Sequence, residues 1–263
     1  MVVLSIIVVP YMYYAFSMYF KARALRPEYD WPSLSELWKA AVSGVVFLML
    51  KSFVIKHTYA FNTTICKNQD DPEMLHLRAK KASKYVFQFC YFVFATTYGY
   101  YTLKDAVWLP WFLGGNGTWE AMWADAPYTA VCPGATTYAM LQLGYHFGDL
   151  IHLYFIEERQ NDYAEMMTHH IATSSLLVSM IFANQMSIGC VVAFQHDIAD
   201  ITVAACKYLA QTKYTMVGLF TFIVNMVVWA YTRNILLAYV VYRIWTEQCD
   251  MYKAPFEGYS PII

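Results

Sequence analysis

Two adjacent histidines and a later His-Asp-x-x-Asp motif are the residues in this sequence best suited to chemistry. The pair is His169 and His170, and the motif runs from His196 to Asp200. A neutral imidazole can take a proton from an amine or a hydroxyl group, and a carboxylate on its other nitrogen fixes the tautomer. The same ring can instead accept an acyl group and pass it on. The residue types do not choose between these two routes.

Helical spacing places these residues on two helices that can face one another. Adjacent residues diverge by about 100° on a helix of 3.6 residues per turn, so His169 and His170 point to different sides. We expect one imidazole to face a cavity and the other to brace a neighbouring helix. Residues four apart share a face, which adds further candidates: Glu165 and Thr173 beside His169, Lys207 beside His196 and Asp200, and Asp197 next to that stripe.

A third polar set precedes these motifs. His146, Asp149 and His152 recur every three residues on the preceding predicted helix. They are candidates for the same cavity, and the alternative is a set of hydrogen bonds between helices. That alternative also applies to any single histidine of the later motifs. For five ionisable residues on two successive helices we favour a functional site, because an uncompensated charge is costly inside a membrane.

Metal binding is a second interpretation, since His and Asp are ordinary ligands. Membrane di-iron oxygenases use H-x-x-H-H-like boxes, whereas this chain has seven histidines in total and lacks those boxes. The six cysteines lie far apart, without a C-x-x-C pair that would suggest zinc or a redox couple. We therefore expect no metal.

Composition indicates that the helices carrying these residues lie in a membrane. Hydrophobic residues make up 59% of the 263 residues and charged residues only 14%, whereas soluble domains carry roughly a quarter charged residues. A net charge of −1 leaves no basic surplus for a nucleic-acid backbone. The N-terminal apolar run lacks the cleavage pattern of a signal peptide, so we interpret it as a retained membrane helix.

Seven segments approach the roughly 20 apolar residues that a membrane-spanning helix needs. The chain is therefore predicted to be an all-α, polytopic transmembrane bundle in one domain. The predicted spans are residues 2–20, 37–55, 85–103, 135–156, 166–185, 187–209 and 215–245.

The loops predict the orientation. The segment 56–84 carries six Lys and Arg residues, which places it on the cytosolic side by the positive-inside rule. Threading onward puts residues 104–133 on the far side and the turn 157–162 on the near side. Lys21, Arg23 and Arg26 conflict with the positive-inside rule, because the same threading places these three basic residues on the far side.

A longer motif around the histidines resembles that of the ceramide synthases of the TLC superfamily. It comprises E-R-x-x-D-Y-x-E-M-M-x-H-H-I-x-T (158–173), then H-D-x-x-D, and then Lys207 with Tyr208. Similarity extends to L-P-W-F-L-G-G-N-G (109–117) followed by W-x-x-x-P-Y, to P-S-L-S-E-L (32–37), and to Trp229 and Arg233. The resemblance predicts an N-terminal helix and connector (1–31), a TLC-like membrane domain (32–245) and a short C-terminal tail (246–263).

This resemblance implies a six-helix, barrel-like core around a lipid-lined cavity. It implies that a sphingoid base is N-acylated by a long-chain fatty acyl-CoA, a co-substrate, in the endoplasmic reticulum membrane, without a cofactor. It places His169 and His170 at the reaction centre, supported by His196, Asp197 and Asp200. The substrate-cavity candidates are then Asp162, Glu165, Thr173, Lys207, Arg233, His146, Asp149 and His152.

Some features depart from the family pattern. Ala204 stands where the family usually has Glu, the basic pair before Asp162 is reduced to Arg159 with Gln160, and the last family helix is expected to be absent after Trp245. An extra N-terminal helix is also expected. A second hypothesis is therefore a non-catalytic TLC-fold subunit of a larger complex, for example in the mitochondrial inner membrane, and homo-oligomers also remain open. A third is a lipid-binding regulator on the same fold.

A glycosylation sequon distinguishes the two organelles. Asn116-Gly117-Thr118 is predicted on the far side, where the endoplasmic reticulum glycosylates such sequons and mitochondria do not. The sequon at Asn62 is predicted to be cytosolic and to stay bare.

Overall fold

The described part of the chain is a bundle of long helices. The computed structural model describes residues 2–29, 31, 34–122, 128–129, 131–157, 159, 162–243 and 246. No strand occurs among them, and the α-helices are α1 (Val2–Leu25), α2 (Leu37–Ile65), α3 (Pro72–Leu103), α4 (Ala135–Phe155), α5 (Tyr163–Phe182), α6 (Met186–Gln211), α7 (Thr215–Trp229) and α8 (Leu237–Arg243).

A π-helical segment, Ala230–Leu236, joins α7 to α8 in one continuous rod. Short 3₁₀ turns at Leu34–Glu36, Trp111–Leu113 and Glu120–Met122 lie in the connections.

The predicted all-helical membrane fold is confirmed, and each predicted span coincides with a helix. Three of the described helices, α2, α6 and the rod Thr215–Arg243, are long and apolar enough to cross a membrane. The fifth helix ends at Phe182, earlier than predicted, because Asn184 adopts a left-handed φ of 50° and turns the chain. The predicted tail 246–263 lies outside the described residues apart from Thr246.

The prediction of a loop over residues 56–84 was wrong, because most of this segment is helical. Helix α2 continues to Ile65, and α3 begins at Pro72. The Asp71 side chain caps α3 by accepting a hydrogen bond from the Met74 amide at 3.1 Å, with proline at the first helical position. Apolar content shows where a helix leaves the hydrocarbon layer, whereas intrahelical hydrogen bonds continue beyond it.

The connections separate into two ends of the bundle. The α2–α3 and α6–α7 turns meet, since the Lys67 amide donates to Gln211 O at 3.0 Å and the Lys213 amide to Ile65 O at 2.9 Å. We call this the basic end. At the opposite end, Tyr29 Oη donates to Thr129 O and Ser187 Oγ to Met122 O, each at 2.6 Å. The helices therefore alternate in direction, as the threading predicts.

Small residues let α2 and α4 pack backbone against backbone. A Cβ atom added to Gly144 would lie 2.0 Å from Ser43 Oγ, and one added to Gly148 would lie 2.7 Å from Gly44 O. Helices in membranes use such small-xxx-small patterns to approach closely. Because Asp149 follows Gly148 directly, this contact also sets how Asp149 meets α2.

Candidate active site

Asp149 lies at the centre of a buried polar group that three helices contribute. Its Oδ1 accepts a hydrogen bond from Lys51 Nζ of α2, and its Oδ2 lies 3.3 Å from His170 Nε2 of α5. The three side chains are 3%, 7% and 5% exposed for Lys51, Asp149 and His170. A buried charge is tolerated only when it is paired and hydrogen-bonded. Lys51 therefore balances Asp149, and Asp149 orients the His170 ring.

Three imidazoles meet beside this ion pair. His146 Nδ1 lies 3.5 Å from His170 Nδ1, and the His169 and His170 ring centroids are 5.4 Å apart. The His146 and His169 centroids are 6.2 Å apart. His170 is buried against α4, whereas His169 is exposed. The two adjacent histidines thus take the different positions that helical spacing predicts.

Asp200 forms a second ion pair, with Arg233 of the π-helical segment. Arg233 Nη2 donates to Asp200 Oδ1 at 2.5 Å, and the two side chains are 21% and 24% exposed. A π-helix has a wider turn than an α-helix and occurs often at functional sites. On α6, His196 Nδ1 lies 2.7 Å from Val192 O. An N–H at Nδ1 leaves Nε2 of a neutral ring as an acceptor.

Asp197 contacts a different set of side chains. It is buried, and its Oδ2 accepts hydrogen bonds from Tyr138 Oη at 2.6 Å and from Gln142 Nε2. Gln142 in turn accepts a hydrogen bond from Tyr91 Oη at 3.0 Å. Asp197 therefore ties α6 to α4 and α3, and the structure does not place it among the histidines.

His152 also lies apart from the histidine cluster, close to the ion pair of Lys84 and Glu157. Lys84 Nζ lies 2.6 Å from Glu157 Oε1, and His152 Nδ1 lies 3.5 Å from Glu157 Oε2. Burial raises the pKa of the Glu157 carboxyl. The contacts with His152 and Lys84 lower it by a larger amount, so that the pKa falls to about 2. Glu157 is therefore ionised at neutral pH.

Two of the other candidates, Asp162 and Lys207, lie close to the cluster. Asp162 and Lys207 line a small cavity together with Asp149 and His170. Glu165 is exposed, and Thr173 is half-buried. Within the described residues, no group of three or more His, Cys, Asp or Glu side chains is arranged to hold a metal ion.

Sequence reasoning missed several residues of this site, above all Lys51. A lysine in the middle of a predicted membrane span is itself a signal, because intramembrane charges are rare and paired. The motif from Gly144 to Gly148 was a second signal, for the helix contact that brings Asp149 to α2. Tyr138 and Gln142 carried no such signal, since uncharged polar residues are common in membrane helices.

The arrangement suits proton or acyl transfer at an exposed imidazole. His169 is exposed beside His170, whose ring is held by a carboxylate that is itself neutralised. Such support fixes the position of α5, the helix that carries both histidines. An exposed neutral imidazole can then act as a base or a nucleophile.

Comparison with known proteins identifies the family. Residues 81–262 match the TLC domain. Ceramide synthase hyl-1 of Caenorhabditis elegans is 28% identical over 63% of this chain and 43% of its own length. Human ceramide synthase 4 is 26% identical over 73% of this chain and 46% of its own length. Sphingosine N-acyltransferase lag1 of Schizosaccharomyces pombe is 24% identical over 50% of this chain and 35% of its own length.

The chain spans less than half the length of each of these three relatives. The resemblance to ceramide synthases is confirmed, and with its long apolar helices the chain is an integral membrane protein. Since the match covers more than half of its residues, the chain belongs to the TLC domain family.

Proposed function

We propose that this protein N-acylates a sphingoid base, taking the acyl group from a long-chain fatty acyl-CoA in the membrane. The observation that carries the proposal is the position of His169, exposed next to a His170 ring that Asp149 and Lys51 hold in place. The similarity to ceramide synthases supports the choice of substrates.

The reaction needs a base and no oxidant. The amine nitrogen attacks the thioester carbonyl, the C–N bond forms and the C–S bond breaks, and sulfur leaves as a thiolate. His169 takes the amine proton and returns it to the thiolate, so that an amide and a free thiol are the products. In the covalent route, His169 first takes the acyl group and releases the thiol, and the amine then takes the acyl group from the ring.

The remaining polar groups have supporting roles in this proposal. His170, Asp149 and Lys51 are positioning residues, because they are buried and contact one another. Asp200 and Arg233 keep part of their surface exposed, so they are assigned to polar parts of the substrates. The endoplasmic reticulum membrane, which the resemblance to ceramide synthases implies, is the proposed location.

The test is an acyltransferase assay on purified protein with a sphingoid base and a panel of acyl-CoAs. We expect His169→Ala to lower the rate about 100-fold or more. The matched control is His57→Ala, since His57 is an exposed histidine of α2 outside the cluster. Equal activity of His169→Ala and wild type, or equal loss in both histidine variants, would refute the assignment.

The two chemical routes differ in one observable. Incubation of the protein with acyl-CoA alone adds the mass of one acyl group only if the acyl group is carried on the enzyme. Intact-protein mass spectrometry of wild type and His169→Ala therefore separates the routes. An adduct that persists in His169→Ala would exclude His169 as the carrier.

A further inference from the structure

His146 is the member of the histidine cluster to which the proposed function gives no role. It lies on α4 three residues before Asp149, so both side chains project from the same side of that helix. The His146 ring packs against the rings of both adjacent histidines, with centroid distances of 6.2 Å to His169 and 5.7 Å to His170. His146 therefore borders the proposed reaction centre.

The ion pair at Asp149 determines which nitrogen of His170 carries a proton. Asp149 pairs with the Lys51 ammonium and is a carboxylate, which can only accept hydrogen bonds. His170 Nε2, 3.3 Å from Asp149 Oδ2, must therefore carry a proton. A second proton would place an uncompensated charge on a side chain that is only 5% exposed, because Lys51 already balances Asp149. His170 is thus neutral, and its Nδ1 is an acceptor.

The tautomer of His146 follows from that of His170. The two Nδ1 atoms lie 3.5 Å apart in a long hydrogen bond, in which one of them must donate. Because His170 Nδ1 accepts, His146 Nδ1 carries the hydrogen. The Nε2 atom of a neutral His146 ring then keeps its lone pair. The contacts that begin at Lys51 therefore leave His146 with a basic nitrogen at a defined atom, on a residue that is only partly buried.

The covalent route needs such a second base. When His169 carries the acyl group, its acylated nitrogen has no lone pair and its other nitrogen is a weak base, since the carbonyl withdraws electrons. Among the described residues, the histidine rings in contact with His169 are those of His146 and His170. Both nitrogens of His170 are occupied, by Asp149 and by His146. His146 is thus the neighbouring histidine that can take a proton from the attacking amine.

We propose that His146 is the catalytic base of the second acyl-transfer step, an inference that rests on the proposed function and on its covalent route. The amine nitrogen attacks the carbonyl carbon of acylated His169. The new C–N bond forms as the bond from that carbon to the ring nitrogen breaks, and His146 Nε2 takes the amine proton. His146 then gives this proton to the His169 ring, which leaves with the electron pair of the broken bond. The amide is released, and both rings are neutral again.

The test is a two-step, single-turnover experiment on the purified full chain. Equimolar acyl-CoA is added first, and intact-protein mass spectrometry measures the acyl adduct. A sphingoid base is added next, and the conversion of the adduct to amide is followed. In His146→Asn the side-chain amide can still donate to His170, but no basic nitrogen remains. This variant should form the adduct as wild type does and convert it about 100-fold or more slowly.

His146→Gln is a second variant without a base and should show the same accumulation of the adduct. The matched control is His57→Asn, since His57 is an exposed histidine of α2 outside the cluster. It should equal wild type in both steps. Melting temperatures verify that each variant is folded.

Conversion of the adduct at the wild-type rate in both His146 variants would overturn the proposal. Folded His146 variants that form no adduct would also overturn it, because His146 would then be needed before the amine reacts. Amide formation by wild type without an adduct would overturn the covalent route and this inference but leave the proposed function in place. A wild type that forms neither adduct nor amide would refute the proposed function itself.

Discussion

The two ion pairs of the site, Lys51–Asp149 and Arg233–Asp200, differ in exposure. The first is almost fully buried, at 3% and 7% side-chain exposure, and also contacts His170. The second keeps 21% and 24% of its side-chain surface exposed and joins α6 to the π-helical segment. The buried pair fixes helices and a ring, whereas the partly exposed pair is the one that the proposed function assigns to the substrates.

Because of this difference in exposure, we expect substitutions in the two ion pairs to affect stability and activity to different degrees. Removing one member of a buried pair leaves an uncompensated charge, so the fold suffers first. Removing one member of the less buried pair leaves a charge that is less completely desolvated, so we expect the fold to suffer less. Activity should depend on both pairs, for different reasons.

The largest effect is expected for Lys51→Met. Loss of the ammonium leaves Asp149 buried and unpaired, which should lower the free energy of unfolding by about 3–5 kcal/mol. Denaturation of the purified protein in detergent measures it. Lys51→Met/Asp149→Leu should recover part of the stability but none of the activity, because His170 loses its carboxylate. Recovery of both would show that the pair has no positioning role.

Gly148→Ala should disturb the same region through packing. The added Cβ would lie 2.7 Å from Gly44 O, and such overpacking typically costs about 1–3 kcal/mol. Gly218→Ala is the control, since its Cβ would meet only ordinary contacts, at 3.7 Å from Leu209 Cβ. Melting temperatures of the two variants should differ, with Gly218→Ala at or above wild type. Equal values would argue against close α2–α4 packing.

Asp200→Asn should show the opposite pattern to Lys51→Met. We expect a loss of about 1 kcal/mol or less in stability and about tenfold or more in acyltransferase rate, because a charge-assisted contact to substrate is weakened. Parallel melting and rate measurements on one preparation give both numbers. A variant that unfolds as readily as Lys51→Met would remove the distinction between the two pairs.

A glycan on Asn116 is expected without any change in stability. Asn116 is exposed, and it lies at the end opposite to the basic end. Asn62 is fully buried and hydrogen-bonded to Ser83, so its sequon should stay bare for a structural reason as well. A gel shift abolished by Asn116→Gln, in protein from the endoplasmic reticulum, checks the proposed location and sidedness. A shift abolished by Asn62→Gln would contradict both.

Much of the fold could be predicted because membrane helices are marked by apolar runs. The ends of α2 and α3 could not, since Asp71 and Pro72 set the start of α3 through local capping rather than hydropathy. The histidines were found by residue type and spacing. The contact between Lys51 and Asp149 joins residues 98 apart in sequence, and only the packing of α2 against α4 brings them together.

The partners that the side chains on one helix contact could not be predicted from the sequence either. Asp197 and Asp200 are three residues apart on α6, yet one contacts Tyr138 and the other Arg233. Helical spacing places both on one broad face, and the neighbouring helices decide which partner each meets.

The most direct test of the central claim is whether the purified protein alone, reconstituted in lipid, converts a sphingoid base and acyl-CoA to the amide. Mass spectrometry of the lipid product measures it. The proposed function predicts amide formation that requires His169. A well-folded protein that forms no amide with any acyl-CoA, and that copurifies with other membrane subunits, would contradict it and favour a non-catalytic subunit.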